Sequence, residues 1–427
     1  MHILGILLLL ILFMVIGIPV MMAIGLISIA MLLGNIQQLV IVTPRLFTSL
    51  DNFIFLSIPL FIFAAELMLQ CDLMDILVRF CTAIIGHMKG GLALVNVMDS
   101  LVFSGATGSA SAHTAGLGRM EVAVMTKAGY DRVYAISVSI ASSLLGPILP
   151  PSNIMIIYAG CTGSVSIAAM FLAGILPGLL LGFVLLGLCY YLAVKNNHPV
   201  SAKTKWSEKI QATYHVLPIL GLPGIILGGI VSGIFTATES AAIAVFYVLI
   251  ITVVKKKLTF KILYQCCLRA AKTTCSIMLI ISVAAIMGYG MTLLQLPKMT
   301  TEWAIAFITN KYVFLLYVNV LLLLIGLVMD QAPALLLMTP ILLPIANQFQ
   351  INPIHFGLIV CFNLTIGLIT PPVGMQLFIG ANVAEVKLTD LYRSILPFCA
   401  VSILVLFIIT YIPWFTTVLP TMAGYLK

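Results

Sequence analysis

Two apolar segments of this chain are each interrupted by a pair of adjacent prolines. The motifs are Gly146-Pro-Ile-Leu-Pro-Pro151 and Gly367-Leu-Ile-Thr-Pro-Pro372. Proline has no amide hydrogen, so each pair would remove two backbone donors from a helix and free carbonyl oxygens one turn earlier. In hydrocarbon, such groups are tolerated only where protein or a water-filled cavity satisfies them. Because a hard cation prefers oxygen ligands, free carbonyls and helix ends predict a cation site at each motif.

Each proline motif has a companion segment that predicts the tip of a hairpin. These segments are Ser104-Gly-Ala-Thr-Gly-Ser-Ala110, which is rich in small residues, and Asp330-Gln-Ala-Pro333, which is acidic. We expect one ion site in each half of the chain, the first mostly through backbone oxygen and the second with added charge. The alternative is that the prolines only kink helices to improve packing, but two pairs in matching places favour ion sites. The predicted ion-binding residues are Ser104, Thr107, Gly146 and Leu149 in the first half, and Gly326, Asp330, Gly367 and Thr370 in the second.

Between the two tips, an organic anion could bind where half-helix N-termini point partial positive charge inward. Polar side chains near the tips and the proline motifs could add neutral hydrogen bonds. Serine and asparagine also line ordinary helix–helix contacts, which is the alternative interpretation. The predicted substrate-binding residues are Ser109, Ser111, Ser152, Asn153 and Asn382.

Ionisable residues inside apolar segments are costly and often functional. Asp330 and Asp99 lie at or near the predicted tips, so both are candidates for ion binding. Glu66 and Glu239 lie outside the hairpins and are expected to pair with backbone or basic groups in a scaffold. His113 follows the first tip, and histidine titrates near neutral pH, so it could couple protons. A hydrogen-bonded structural histidine is the favoured interpretation.

The composition makes lipid the solvent for most of the surface. Of 427 residues, 62% are hydrophobic and 8% are charged, against about a quarter charged in soluble domains, and the mean hydropathy is +1.20. The runs Ile3–Leu33 and Ile167–Val194 exceed the roughly 20 residues that a helix needs to cross a bilayer. The first is expected to be a retained helix bent at Pro19, because it lacks the marks of a cleaved signal. The nine cysteines show no zinc-type spacing and are expected to pack.

Basic residues predict the orientation and the two hairpins. Loops at 119–132, 195–209 and 255–269 are separated by pairs of crossings, so they share one face, which the positive-inside rule makes cytoplasmic. The +8 net charge therefore reports orientation and not nucleic-acid binding. The segment Lys89–Ala112 begins and ends on that face and is too short to cross twice, so it predicts a re-entrant hairpin. Tyr312–Ile345 predicts a second hairpin that enters from the opposite face.

The two halves also match at one offset. The proline motifs lie 221 residues apart, and the same offset places Gly105 on Gly326. Paired interrupted segments in two halves are the best sequence pointer to a transporter's binding site. The predicted organisation is an N-terminal transmembrane helix at 1–35, inverted repeat 1 at 36–194, a connecting loop and crossing at 195–235, and inverted repeat 2 at 236–420.

Five stretches carry a family resemblance. They are Phe103-Ser-Gly-Ala-Thr-Gly-Ser-Ala-Ser111, Gly146-Pro-Ile-Leu-Pro-Pro-Ser152, Gly233-Ile-Phe-Thr-Ala-Thr-Glu-Ser-Ala-Ala-Ile243, Met329-Asp-Gln-Ala-Pro333 with Thr339-Pro-Ile-Leu-Leu-Pro344, and Pro353-Ile-His-Phe-Gly357 with Gly367-Leu-Ile-Thr-Pro-Pro-Val-Gly374. At these positions the chain resembles, over nearly its whole length, the large membrane subunit (M, DctM-type) of TRAP (tripartite ATP-independent periplasmic) transporters.

The resemblance implies an all-α, multi-pass protein of the bacterial inner membrane, with an elevator mechanism of the ion transporter superfamily kind. It implies sodium symport of a carboxylate or sugar acid without a cofactor. It also implies a small four-helix membrane subunit (Q type) and a periplasmic substrate-binding protein as partners. Two positions depart from the family pattern: His113 stands where many members carry Asp, and Ala237 where Pro is usual. The first departure leaves the coupling ion open.

Other functions remain as alternatives. The nearest is a self-sufficient ion-coupled carboxylate carrier or antiporter on the same scaffold. An intramembrane enzyme would need a nucleophile with a base or metal ligands, and the sequence contains neither His-Glu-x-x-His nor Gly-x-Ser-x-Gly. A channel is disfavoured because facing hairpin tips would occlude a continuous pore.

Overall fold

A computed structural model describes residues 5, 9–10, 12–13, 16–33, 39–200, 204–308 and 310–426, without the side chains of 104–107 and 303. The described residues form helices and connecting turns and contain no β-strand. The helices are α1 (Val20–Leu32), α2 (Val42–Thr48), α3 (Ser57–Gln70), α4 (Leu73–Ile85), α5 (Gly91–Thr107), α6 (Ala110–Gly116), α7 (Gly118–Lys127), α8 (Arg132–Ser143), α9 (Leu145–Ile148), α10 (Asn153–Thr162), α11 (Ile167–Lys195), α12 (Trp206–Val231), α13 (Ala237–Val254), α14 (Phe260–Leu293), α15 (Leu296–Phe307), α16 (Lys311–Val328), α17 (Gln331–Gln348), α18 (Pro353–Gly367), α19 (Met375–Ala384), α20 (Leu388–Tyr411) and α21 (Trp414–Met422).

Within this described part, eight helical segments are long and apolar enough to cross a membrane. The all-α, multi-pass prediction is confirmed. The three basic loops are shorter than predicted, because α7 continues to Lys127, α12 begins at Trp206 and α14 begins at Phe260. Long basic side chains can extend from helix ends toward water, so they mark the membrane boundary without marking a loop. Before α1, the chain turns at Ile16 and Gly17, close to the predicted bend at Pro19.

The first hairpin is longer than the sequence predicts. Its first arm is α5, and Gly108 turns the chain with a φ of +57°, a conformation that glycine adopts without steric cost. Ser109 then caps α6, and the return arm continues through α7 to Lys127 instead of ending at Ala112. The prediction was wrong here because Glu121 was taken as part of a polar loop, whereas its side chain is buried inside the hairpin.

The second hairpin follows its prediction closely. The arms α16 and α17 meet at Met329 and Asp330. Helix starts in the two halves recur at one offset of 221 residues: α6 and α17 begin at 110 and 331, α8 and α18 at 132 and 353, and α11 and α20 at 167 and 388. The opposite orientation of the halves, and repeat boundaries at 36–194 and 236–420, remain predictions.

Both proline motifs interrupt a helix. The first broken helix ends with α9 at Ile148, and an extended segment containing the cis Pro150–Pro151 peptide leads to α10. The second ends with α18 at Gly367, and a turn containing the cis Pro371–Pro372 peptide leads to α19. The backbone is therefore discontinuous where the sequence predicts.

Each hairpin packs on both broken helices. The first arms α5 and α16 pack on α8 and α18 of their own half, whereas the return arms cross over: α6 packs on α19, and α17 packs on α10. Helices α3, α12, α13 and α14 form a surrounding layer, in which α13 and α14 pack on α3, and α12 packs on α4 and α13. The long helix α11 packs instead on α5, and the long helix α20 packs on α8.

Burial differs sharply between the first broken helix and α12 of the surrounding layer. In the broken helix Arg132–Thr162, 94% of the most apolar window is buried, whereas in Trp206–Val231 the share is 33%. Exposed carbonyl groups at a helix break are tolerated at membrane depth only where protein or a water-filled cavity surrounds them. The first broken helix meets this condition, so its interruption needs no contact with lipid.

Candidate functional site

A cavity of about 400 Å³ lies where the two hairpin tips meet the first broken helix. Gly108 and Ser109 line it from the first tip, Asp330 and Gln331 from the second tip, and Asn153 from the start of α10. Small-molecule sites in proteins typically enclose about 300–1,000 Å³. The cavity is therefore large enough for a small organic acid.

Three helices begin at this cavity. Ser109 is the N-cap of α6, while Asn153 and Gln331 are the first residues of α10 and α17. The first N–H groups of a helix have no partner within the helix, and they carry partial positive charge. Among the described residues, no lysine or arginine lines the cavity. Its attraction for an anion would therefore come from helix ends and neutral polar groups.

The predicted substrate residues fall into two groups. Ser109, Ser111 and Asn153 line the cavity, and the hydroxyl oxygens of Ser109 and Ser111 are 3.0 Å apart. Ser152 is fully buried at the N-cap of α10, where its hydroxyl donates to the carbonyl of Pro147. Asn382 is exposed on α19 and does not line the cavity. The structure thus brings together three of the five.

Three polar cavity residues were not predicted to lie there. Glu66 in α3 and Thr273 in α14 line the cavity from the surrounding layer, and Gln331 lines it from the second tip. Glu66 was expected to pair within a scaffold, but its Oε2 atom has no hydrogen-bond partner. Glu66 is an acid within an apolar run, and this pattern could have indicated its place in the cavity. The contribution of Thr273 depends on how α14 packs, which no local pattern indicates.

At the second break, backbone segments converge on Gly374. Its amide donates to the carbonyl of Leu327 in the first arm of the hairpin, at 3.2 Å. A Cβ atom added to Gly374 would lie 2.9 Å from the carbonyl oxygens of both Leu368 and Thr370. The predicted residue Thr370 therefore presents its carbonyl beside that of Leu368, while its hydroxyl donates to Ile366 at 2.9 Å.

The predicted residues Gly326 and Gly367 contact each other directly. A Cβ atom added to Gly367 would lie 2.6 Å from the Cα of Gly326 and 3.1 Å from its carbonyl oxygen. Such an approach is closer than real Cβ atoms make, so only glycine fits. This contact brings the end of α16 against the end of α18. Asp330 follows at the start of α17, where its side chain makes no capping hydrogen bond.

The first break has a similar contact between tip and broken helix. Gly146 and Leu149 are buried, and the Leu149 amide donates to the carbonyl of Leu145 at 2.8 Å. A Cβ atom on Gly108 would lie 3.1 Å from the carbonyl oxygen of Pro151. The side chains of Ser104 and Thr107 lie outside the described residues.

The other candidate residues lie elsewhere. Asp99 and His113 do not line the cavity and instead belong to a buried cluster inside the first hairpin. The His113 ring contacts the Ser100 hydroxyl at 3.1 Å, as expected for a structural histidine. Glu239 accepts a hydrogen bond from the backbone of Thr236 at 2.8 Å, which confirms its predicted pairing with backbone.

Comparison with known proteins gives the family. Residues 7–415 match the family described as "Tripartite ATP-independent periplasmic transporter, DctM component". Two solved structures share the fold: the YdaH transporter of Alcanivorax borkumensis (TM-score 0.62, 16% identity, 90% of this chain and 89% of that one) and MtrF of Neisseria gonorrhoeae (TM-score 0.59, 15% identity, 88% and 83%).

Curated relatives agree over almost the full length. The sialic acid TRAP transporter large permease SiaM of Vibrio cholerae is 34% identical, over 95% of each chain. The C4-dicarboxylate large permease DctM of the same species is also 34% identical, over 96% of this chain and 95% of that one. The isethionate permease DctMQ of Oleidesulfovibrio alaskensis is 35% identical, and this chain spans 64% of its length. These relatives are transporter permeases and not enzymes, and this chain belongs to the DctM component family of TRAP transporters.

Proposed function

We propose that this chain imports an organic acid across the bacterial inner membrane together with sodium. The main observation in support is the cavity between the two hairpin tips, because three helices begin there. A carboxylate group is the kind of ligand that such N–H groups favour. Relatives are named for the transport of sialic acid, C4-dicarboxylates and isethionate. Sialic acid and the C4-dicarboxylates carry carboxylates, whereas isethionate is a sulfonate, and our proposed substrate class is a small carboxylate or sugar acid.

The second break supports the sodium part of this proposal. The carbonyls of Leu368 and Thr370 face the same glycine, and Asp330 adds a carboxylate at the neighbouring tip. Oxygen atoms of this kind suit a hard cation, and broken transporter helices commonly provide them. In the first half, Gly146 and Leu149 would contribute backbone oxygen in the same way. Binding of the ion would also reduce the cost of bringing an anion close to Glu66 and Asp330.

The mechanical part of the proposal follows from the packing. The hairpins and broken helices contact one another across the halves, whereas α3, α12, α13 and α14 form the surrounding layer. In an elevator mechanism, the first group would slide against the second and carry the cavity across the membrane. A Q-type membrane subunit would hold the layer, and a periplasmic binding protein would deliver the substrate.

Reconstitution tests the coupling. The chain would be placed in liposomes with its membrane and periplasmic partners, and uptake of a labelled carboxylate would be measured with and without an inward sodium gradient. We expect uptake that requires the gradient. Asp330→Asn and Gly374→Ala should each raise the sodium concentration for half-maximal uptake, the second because its Cβ atom would lie 2.9 Å from the carbonyl oxygens of Leu368 and Thr370. The exposed Asp390 serves as control through Asp390→Asn.

Two results would decide against the proposal. Uptake that is indifferent to sodium, or unchanged in both tip and break variants, would remove the proposed ion coupling. Uptake that proceeds equally well without the binding protein would instead support a self-sufficient carrier on the same scaffold.

A further inference from the structure

The first hairpin encloses a second polar cluster, separate from the cavity between the tips. Its members are Asn96, Asp99 and Ser100 on α5, His113 on α6 and Glu121 on α7, and all are at least 95% buried. We call this set the hairpin cluster. It joins the two arms of the hairpin.

Hydrogen bonds engage the Asn96 and Ser100 side chains, whereas the His113 Nδ1 atom has no hydrogen-bond partner. The Asn96 amide nitrogen donates to Glu121 at 2.8 Å and to Ser139 of α8 at 2.7 Å. The His113 Nε2 atom lies 3.1 Å from the Ser100 hydroxyl and 3.6 Å from Glu121 Oε1. The Asn96 side chain and the His113 ring therefore both engage Glu121.

Asp99 is left without a counter-charge. Its Oδ1 atom lies 3.5 Å from the Ser100 hydroxyl, and its Oδ2 atom has no hydrogen-bond partner, although the residue is 99% buried. Among the described residues, no lysine or arginine forms an ion pair with the cluster. The His113 ring lies within ion-pair distance of Glu121 and not of Asp99. An ionised carboxylate buried without a partner loses its hydration, and it usually takes up a proton instead.

Titratable groups on the surrounding helices do not change this balance. From α4, the Cys81 thiol faces Asp99, and α8 presents the hydroxyls of Ser139 and Ser142 to Asn96. Helix α19, which packs on α6 and α7, contains no ionisable residue. The other ionisable groups nearby face elsewhere: Asp75, Arg79, Glu208 and His215 line an outer groove, Glu66 lines the cavity between the tips, and Tyr134 contacts Cys189.

We propose that the hairpin cluster is a proton-binding site and that Asp99 carries the exchangeable proton. Water delivers the proton to the unpartnered Oδ2 atom, which converts the carboxylate to a carboxylic acid, and release reverses the step. The negative charge of Glu121 favours the protonated form of Asp99.

A route for the proton lies beside the cluster. A cavity of about 20 Å³ is lined by Asp99 and Glu121, and about 10–15 Å³ is enough for one water molecule. An open groove of about 740 Å³ lies next to it, between α4, α7 and α12. Val78, Met120 and Val124 line both spaces. These three apolar side chains are thus the wall between the buried acids and the groove.

The cluster is not required to build such a hairpin. At the 221-residue offset, the counterparts of Asp99, His113 and Glu121 are Val320, Ala334 and Leu342. The second hairpin therefore forms with apolar residues at these three positions. Ionisable groups in the first hairpin add a property that the second lacks.

Infrared spectroscopy of the purified chain in lipid bilayers tests the site, with no substrate or partner needed. We expect a carbonyl stretch of a protonated carboxylic acid near neutral pH, which shifts in D₂O, is lost at alkaline pH and is absent in Asp99→Asn. Glu302 is exposed, so Glu302→Gln should keep the band. An unchanged band in Asp99→Asn would overturn the proposal. So would loss of the band on adding sodium at constant pH, because the site would then hold the ion.

A second variant covers the case in which Asp99→Asn does not fold. Glu121→Gln removes the neighbouring negative charge, so the band should disappear at a lower pH than in the unmodified chain. If the band disappears at the same pH in Glu121→Gln as in the unmodified chain, the proposal is contradicted. A role for the proton in transport would rest on the proposed function, whereas these spectra succeed or fail independently of uptake.

The wall gives an independent kinetic test. Val124→Ala should speed the D₂O shift of the Asp99 band several-fold, because it opens the partition between the groove and the small cavity. Val254 is an exposed valine on α13, and Val254→Ala should leave the rate unchanged. Equal rates in Val124→Ala and the unmodified chain would refute the route through the wall.

Discussion

Substitution of Gly367 by alanine tests the close backbone contact between α16 and α18. The new Cβ atom would lie 2.6 Å from the Cα and 2.7 Å from the carbonyl carbon of Gly326. An ordinary van der Waals contact begins at 3.4 Å, so α16 and α18 would have to separate by roughly 1 Å, a gap that forfeits about a quarter to a half of the dispersion energy at the contact. Because both atoms belong to backbone, no side-chain rotation can relieve the collision.

The expected cost follows from two opposing effects. Overpacking of a well-packed interior typically costs about 1–3 kcal/mol, whereas replacing glycine by alanine within a helix gains about 0.5–1 kcal/mol. We therefore expect Gly367→Ala to lower the free energy of unfolding by about 1–2 kcal/mol. The substitution on the other side of the contact, Gly326→Ala, would place its Cβ atom 3.0 Å from the Cα of Gly367. It should therefore lower the free energy of unfolding by less.

Thermal unfolding of the purified chain in detergent would measure these differences. The matched control is Gly187→Ala in α11, because an added Cβ there meets no atom within 4 Å, and it should leave the unfolding midpoint unchanged or raise it. The expected order of midpoints is Gly187→Ala, then Gly326→Ala, then Gly367→Ala. A midpoint for Gly367→Ala equal to that of Gly187→Ala would refute the argument from backbone contact.

Three further predictions concern single contacts, each checked by the same unfolding measurement. Tyr158→Phe removes a hydrogen bond of 2.8 Å to the carbonyl of Pro353, which joins the broken helices, and should cost about 0.5–1.5 kcal/mol; an unchanged midpoint would contradict it. Ser152→Ala removes the N-cap of α10 and should cost about 1 kcal/mol, and a cost no larger than that of an exposed serine substitution would argue against a capping role. Burial lowers the pKa of His198, opposed by the charge of Asp131. The unfolded chain then binds more protons, so stability should fall as the pH drops below the unfolded value of about 6.5. His198→Phe should weaken this dependence, and an identical pH profile in that variant would refute the assignment.

The sequence predicts the fold well where backbone chemistry is decisive. The proline pairs at 150–151 and 371–372 interrupt their helices as expected, since a residue without an amide hydrogen cannot continue the ladder of hydrogen bonds. Asp330 lies at the second tip as predicted, immediately before the first turn of α17. The helical organisation and the tips could therefore be inferred from local residue types.

Residues whose role depends on packing between distant segments were harder to infer. Glu121 follows Arg119, which suggested a polar loop, yet its carboxylate is buried because Asn96 lies opposite it in the hairpin. Asn382 is polar and near a break, but its side chain is exposed on α19. Thr273 reaches the cavity only because α14 packs beside the tips. None of these placements follows from the immediate sequence neighbours.

The crossed packing of the return arms has a consequence for biosynthesis. Helix α10 lies against α17, and α6 lies against α19, so the first 200 residues cannot bury their inner surfaces until the ribosome has produced the last 100. A nascent chain that pauses before α17 would hold its first break open to neighbouring proteins or lipid. Two fragments divided between α11 and α12 should consequently assemble when they are synthesised together, and each should be degraded when it is made alone.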